Sequence, residues 1–326
     1  MSVDADSAAT AFEDSEAPPR YVRHPPRAAA AGAARKVLDH PDYILRAWAA
    51  ILIVAAIDWL WAGSAGFKIS GFGPLLRGVT MLAAVGFFLD YTGRARQASD
   101  AAHYCALWIS FAVALEIYSY VVATLRMPMC DLQFARMDAA LEFNWSAALD
   151  LIAPHRILRY LLEHAYNSIF VQVFASIGYF ALIKRSDRNR ELLWIAMLSA
   201  LVTTSLSGLL PALGPYANGN MPAWSAVLVT IHNGSLTGFA LSDMTGIVTF
   251  PSFHTVLAVL LVYVHRPPLR SFVPVAILNA AMLVAIPFAG HHYLVDMIAG
   301  AAVAAISIAI MQTAMRPRSL AQPQGV

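Results

Sequence analysis

Long apolar runs separated by short polar breaks set the pattern of this chain. Eight runs stand out, at residues 44–66, 73–92, 101–125, 166–184, 191–213, 252–265, 272–289 and 292–314. A helix needs about 20 apolar residues to cross a bilayer, so each run predicts a span. The sixth is short for a crossing; it is expected to begin inside the preceding apolar stretch or to lie where the membrane is locally thin. Residues 131–164 break the pattern differently. Leu132, Phe134, Met137, Leu141, Phe143, Trp145, Leu149 and Ile152 interleave with Arg136, Asp138, Glu142 and Asp150, which predicts an amphipathic segment lying in the membrane interface. Residues 214–250 form a loop rich in Gly, Asn, Pro, Ser and Thr with no Lys or Arg.

The expected organisation is an all-α, polytopic membrane helical bundle of about eight spans. Residues 1–40 carry no apolar periodicity and predict a disordered tail. Residues 41–129 hold the first three spans, 130–315 a membrane core, and 316–326 a second tail. Composition agrees: 59% of the 326 residues are apolar and 13% charged, about half the charge usual in soluble domains. Cys105 and Cys130 form neither a disulfide framework nor a metal-binding spacing.

Charge then orients the bundle. With the N-terminus inside, eight spans return the C-terminus to the same side. Sixteen of the 22 Lys and Arg then fall inside, with six outside. The loop holding Lys184, Arg185, Arg188 and Arg190 falls inside, and the loop without cations falls outside. The positive-inside rule favours this arrangement: an integral membrane protein with both termini cytoplasmic, expected in a bacterial inner membrane. Nothing in the charge pattern asks for a nucleic-acid partner.

Against that apolar background, residues 290–300, G-H-H-Y-L-V-D-M-I-A-G, place two histidines and an aspartate at the mouth of the last span. His292 and Asp296 are four apart, one turn from each other on a helix, where a carboxylate can fix the tautomer of an imidazole. A second histidine falls in the same predicted compartment. Residues 250–255 read F-P-S-F-H-T, with Pro251 suited to a first helical turn whose free amides favour an anion. His254 and His292 thus predict a nucleophile and a general acid beside an anion site, a set fitted to phosphoryl transfer. A lone histidine in an apolar segment is more often a packed residue than a catalyst, and His103, His164 and His232 have no motif around them. His254 and His292 point to chemistry because they occur in order and on one side.

P-S-F-H-T followed by H-H-Y-x-x-D resembles the type-2 phosphatidic acid phosphatase superfamily, and within it the inositol phosphorylceramide synthase-like branch. Residues 210–216, L-P-A-L-G-P-Y, and the upstream M-D-A-A-L-E-F-N-W and A-Y-N-S also resemble bacterial members. The resemblance covers about residues 130–314 and implies a six-helix phosphatase-type core working without a metal or cofactor. It implies His292 as nucleophile, Asp296 as its holder and His254 as the acid and base at the leaving and entering oxygens. Substrate contacts are expected from Pro251, Ser252, Thr255, Gly214, Pro215, Tyr216, His291 and Tyr293. The substrate would be a membrane lipid phosphate, phosphodiester or pyrophosphate, with water or an alcohol as acceptor.

This chain departs from the usual phosphatase pattern in its cations. The serine–arginine pair expected ahead of the second histidine is replaced by Ala285 and Ile286, and no Lys or Arg lies between Arg190 and Arg266. Arg136, Arg156 or Arg159 from the amphipathic segment are candidates to supply the missing charge. Two acids within spans, Asp58 and Glu116, motivate a rival reading as an ion- or proton-coupled transporter. The blander alternative is that they pair with each other, or with Lys68 or Arg46, to hold helices together. A metal site built from His254, His291, His292 and Asp296 is chemically possible, but the chain lacks the further histidine clusters of membrane metal oxygenases.

Overall fold

A computed structural model of the chain describes residues 42–216 and 221–314; the two predicted tails lie outside the described residues. The described chain is helical almost throughout. Its helices are α1 (Asp42–Ser64), α2 (Phe72–Thr92), α3 (Arg96–Ala123), α4 (Asp131–Ala140), α5 (Trp145–Ile152) and α6 (Arg156–Asn167). There follow α7 (Ile169–Leu182), α8 (Ser186–Leu209), α9 (Ala223–His232), α10 (Phe253–Val264), α11 (Phe272–Ala289) and α12 (Leu294–Ala314). Two three-residue strands, β1 (Lys68–Ser70) and β2 (Gly238–Ala240), pair in parallel and pin the loop after α9 to the end of α1.

Among the described residues, six helices are long and apolar enough to cross a membrane: α1, α2, α3, α8, α11 and α12. The fourth predicted span is α7, and α6 passes the same test with it as a pair bent by 51°. The sixth is α10, which has only 12 residues. It does not begin earlier, because Phe250 and Pro251 form a bend before it and Ser252, in extended conformation, caps it. The amphipathic stretch resolves into three short helices, α4 to α6. Asn144 ends the break between α4 and α5 by accepting from the Ala147 amide, as a side-chain N-cap does. Loop 214–250 is more structured than expected, since it holds α9 and β2.

Burial explains the bundle. The largest apolar cluster joins Tyr104 and Phe111 of α3, Val173 and Phe180 of α7, Leu192 and Ala200 of α8, Val256 and Leu260 of α10, Met282 of α11 and Val303 of α12. Large apolar side chains such as Trp59, Leu60, Met81, Phe88 and Ile277 point outward. In water this would be a liability, but a bilayer has no reason to bury them. At the Glu191 end, Arg266 donates to both oxygens of Glu191 at 2.9–3.1 Å, and Tyr263 donates to it at 2.7 Å. The pairing expected of Asp58 is not found: its carboxylate is buried on α1 and bonds to neither Glu116, Lys68 nor Arg46 among the described residues.

The other end of the bundle is tied by shape and by capping. Gly300 lets α12 press on the start of α10, where an added Cβ would stand 2.4 Å from the Ser252 carbonyl. The Ser252 amide donates to the Asp296 carbonyl at 2.9 Å. Two helix starts that are 41 positions apart in the chain are thus bonded to each other.

Candidate active site

Those two starts carry the histidines. His292 lies in the turn before α12 rather than on it, so the pair is made across the helix start instead of along one face as expected. Its Nδ1 lies 3.3 Å from Asp296 Oδ2, and the same oxygen accepts from the Tyr293 amide at 2.9 Å. Both side chains are almost fully buried, at 4% and 0% exposure. Burial pushes the His292 imidazole down, to about 4, against a smaller opposing pull from the Thr249 backbone. The ring is therefore neutral near pH 7, the state in which a nitrogen lone pair can attack.

The physical reason for the shift in register sits on α4. The sequence before α12 offers no Ser, Thr, Asp or Asn to cap it, and the first amides of a helix need acceptors. Asp138 supplies them from outside: its two oxygens accept from Leu294 at 2.8 Å and Val295 at 3.0 Å. One face of α4 carries three residues into this region. Asp131 accepts from the Leu213 and Gly214 amides at 3.0 Å and from the Tyr293 hydroxyl at 3.2 Å. Phe134 stacks on Phe250 with centroids 4.4 Å apart.

His254, at the start of α10, is held by stacking. Its ring lies on Tyr166 with centroids 4.1 Å apart and planes 13° from parallel, and it is close enough to His292 for a charge on one ring to act on the other. Ser252 caps α10 by accepting from the Thr255 amide at 3.3 Å. The Phe253 and His254 amides have no acceptor one turn back within the helix.

A model of the PAP2 superfamily matches residues 132–310, more than half of the chain. The chain belongs to the PAP2 superfamily. No curated protein and no solved structure matches it. Membership carries a phosphatase-type activity on phosphate esters, and with the apolar helices it makes the chain an integral membrane protein. The PAP2 match takes in α4 to α10, α11 and the greater part of α12, and with them His254, His292, Asp296, Asp138 and Tyr166. Helices α1 to α3 lie outside it, as do Asp58 and Glu116, and nothing supports the transporter reading.

Within this PAP2 site the expected contact residues divide. Gly214, Pro215, Tyr216 and Tyr293 line a cleft of about 760 Å³, with Asp131, Asp138, Glu142, Asn144 and Trp145 on its other walls. No Lys or Arg lines it among the described residues. Pro251, Ser252 and Thr255 are buried around the start of α10. Tyr293 turns out not to be a free phosphate donor, because its hydroxyl is directed at Asp131. Burial, followed by the charges of Asp131, Asp296 and Asp138, holds that phenol well above its ordinary value. His291 is spent on structure. Its Nδ1 lies 3.1 Å from the Pro215 carbonyl, its ring rests on Trp145, and its backbone turns at φ 51°. Arg136, Arg156 and Arg159 are all exposed, and none bonds to a site residue among the described residues.

Sequence reasoning missed Asp131, Asp138 and Tyr166. Asp131 and Asp138 are seven apart, two turns of one helix face, which is a signal the chain does contain. The mixed composition around them reads equally as a solvated face. Tyr166 lies in the A-Y-N-S stretch that resembles bacterial members, but its spacing gives no sign that it neighbours a histidine 88 positions later.

Proposed function

We propose that this chain is an integral membrane enzyme that cleaves or transfers a lipid phosphate ester through a phosphohistidine on His292. The observation that carries this is the His292–Asp296 bond at the start of α12, made beside His254 at the start of α10. Asp296 accepts the Nδ1 proton of His292, which leaves Nε2 with the lone pair that attacks phosphorus. As the P–N bond forms, the bond to the leaving oxygen breaks, and His254 protonates that oxygen. In the second half, His254 takes a proton from water or an alcohol, whose oxygen attacks phosphorus and releases His292.

The charge pattern of the sequence supports an active site facing the exterior leaflet, reached by lipid from the side. The cleft beside Tyr293 has the size of a small-molecule site, enough for a headgroup or an alcohol acceptor. Its lack of cations and its three carboxylates disfavour a free phosphate there, so the phosphoryl group belongs at the start of α10. There, the Phe253 and His254 amides have no acceptor within the helix and carry its positive end.

The test is turnover of labelled phosphatidic acid and phosphatidylinositol in vesicles containing the purified chain, with and without a long-chain alcohol. Release of inorganic phosphate identifies a phosphatase, and a new phosphodiester identifies a phosphotransferase. Absence of turnover, together with failure to trap an acid-labile phosphate on the protein, would rule the reading out.

A further inference from the structure

We propose that Asp138 is a positioning residue for this reaction: from α4 it caps the first turn of α12 and so keeps Asp296 on His292. The proposal rests on the phosphohistidine reading for its catalytic meaning, but the geometry behind it stands alone.

Four amides open α12 and its cap, those of Tyr293, Leu294, Val295 and Asp296. Each has an acceptor. Asp296 reaches back to Tyr293 from the third helical position, as the acid of a capping box does. The Asp296 amide donates to the Tyr293 carbonyl at 3.2 Å. The other half of a capping box would come from a Ser or Thr at position 293, where this chain has a tyrosine. Asp138 replaces it in space, taking Leu294 and Val295 with one oxygen each.

The consequence follows from competition for acceptors. Were Asp138 removed, two amides at the positive end of a helix would be left without partners in a buried place, where an unmade bond is costly. The nearest mobile carboxylate is that of Asp296, and carboxylates near a helix start readily take its amides. Turning toward Leu294 and Val295 would take Asp296 away from His292 Nδ1. The imidazole would then lose the partner that fixes its tautomer, and the attacking lone pair would move from one nitrogen to the other in part of the molecules. Asp138 can resist this because α4 is docked along the same face, by Asp131 on the Leu213 and Gly214 amides and by Phe134 on Phe250.

The experiment compares the wild-type chain with Asp138→Asn, which keeps the side-chain size and one acceptor but loses the charge and the second. Two measurements are made on full-length protein. The first is kcat and KM on labelled phosphatidic acid in vesicles. The second is the 15N shift of the His292 imidazole in detergent micelles, which reports the tautomer without any substrate. Asp138→Asn is expected to lower kcat by about 10–100-fold with KM changed by less than about threefold, the size of effect that a small misplacement of a reacting group produces. The His292 signal is expected to move from one tautomer, protonated at Nδ1, to a mixture. Wild-type kcat and an unchanged tautomer, even with a lower melting temperature, would reduce Asp138 to an ordinary helix cap and overturn the proposal. Should Asp138→Asn fail to fold, Asp138→Glu is measured in the same way. It keeps the charge, but its longer arm moves the two oxygens off the Leu294 and Val295 amides, so an unchanged tautomer and kcat there would count equally against the proposal. If the wild-type chain turns over no phosphate ester while the tautomer still responds to residue 138, the phosphohistidine reading fails and the positioning contact survives.

Discussion

Two helix starts meet at this site, and they solve the same problem in opposite ways. Helix α10 caps itself: Ser252 accepts from Thr255, and no acid lies in its first turn. Helix α12 is capped from elsewhere by Asp138 and holds its own acid, Asp296, inside the turn. Both helices carry a positive dipole end, yet the two ends are answered differently. At α12 the amides and the charge are already answered by carboxylates, whereas at α10 the Phe253 and His254 amides remain. On the proposed reading, this difference divides the labour of the site: α12 holds the nucleophile and α10 takes the anion. It also bears on the missing cations, because in the proposed reading the free amides of the α10 start take the place of a Lys or Arg.

The strongest way to break this division is to remove the reacting group from each side. His292→Ala is expected to reduce turnover of labelled phosphatidic acid by at least about 1000-fold, as loss of a nucleophile does. His254→Ala is expected to lose about 100- to 10,000-fold, the range of a general acid–base group. Wild-type rates for either variant, with normal membrane insertion, would end the assignment of roles. A second substitution tests the scaffold on the α12 side. Gly214 has φ 78°, and an added Cβ would stand 2.2 Å from the His291 carbonyl. Gly214→Ala is therefore expected to cost about 3 kcal/mol from backbone strain and overpacking, read as a lower denaturation midpoint in micelles. On the α10 side, Ser252→Ala removes a single cap and is expected to cost only about 1 kcal/mol. Equal losses for the two would show that α10 leans on outside support as much as α12 does.

The two sides were also unequally legible in the sequence. The start of α10 is written locally, with Ser252 as its cap and His254 in its first turn, although Pro251, expected inside that turn, lies one residue before the cap. The pairing of His292 with Asp296 was legible from spacing, but the way it is made was not, because the cap comes from a helix more than 150 positions earlier. A carboxylate that serves a distant helix looks, in sequence, like any acid on a polar face. The apolar runs predicted the long helices closely, since length and hydropathy decide whether a segment can cross a bilayer. They marked the change from a mixed to an apolar segment near residue 165, but not the 51° bend between α6 and α7 that falls there. Tyr166 lies at the end of α6, just before that bend, so its placement on His254 depends on tertiary structure alone.

The smallest expected effect sharpens the comparison most directly, because it asks whether the α10 start is sufficient without a cation. Arg136, Arg156 and Arg159 are the arginines of the interfacial segment, and all three are exposed. Helix α6 rises about 1.5 Å per residue, so Arg156 and Arg159 stand about 15 Å and 10 Å along its axis from Tyr166, the residue that touches His254. An exposed charge at that range is largely screened at ordinary ionic strength. Replacing each arginine in turn with glutamate is therefore expected to change kcat on labelled phosphatidic acid by less than about twofold, with any weakening of KM relieved by added salt. A fall of more than about tenfold in kcat at one of them, unaffected by salt, would mean that this arginine reaches the phosphate during turnover. The α10 amides would then be an incomplete anion site, and the segment from α4 to α6 would have to move toward α10 to complete it.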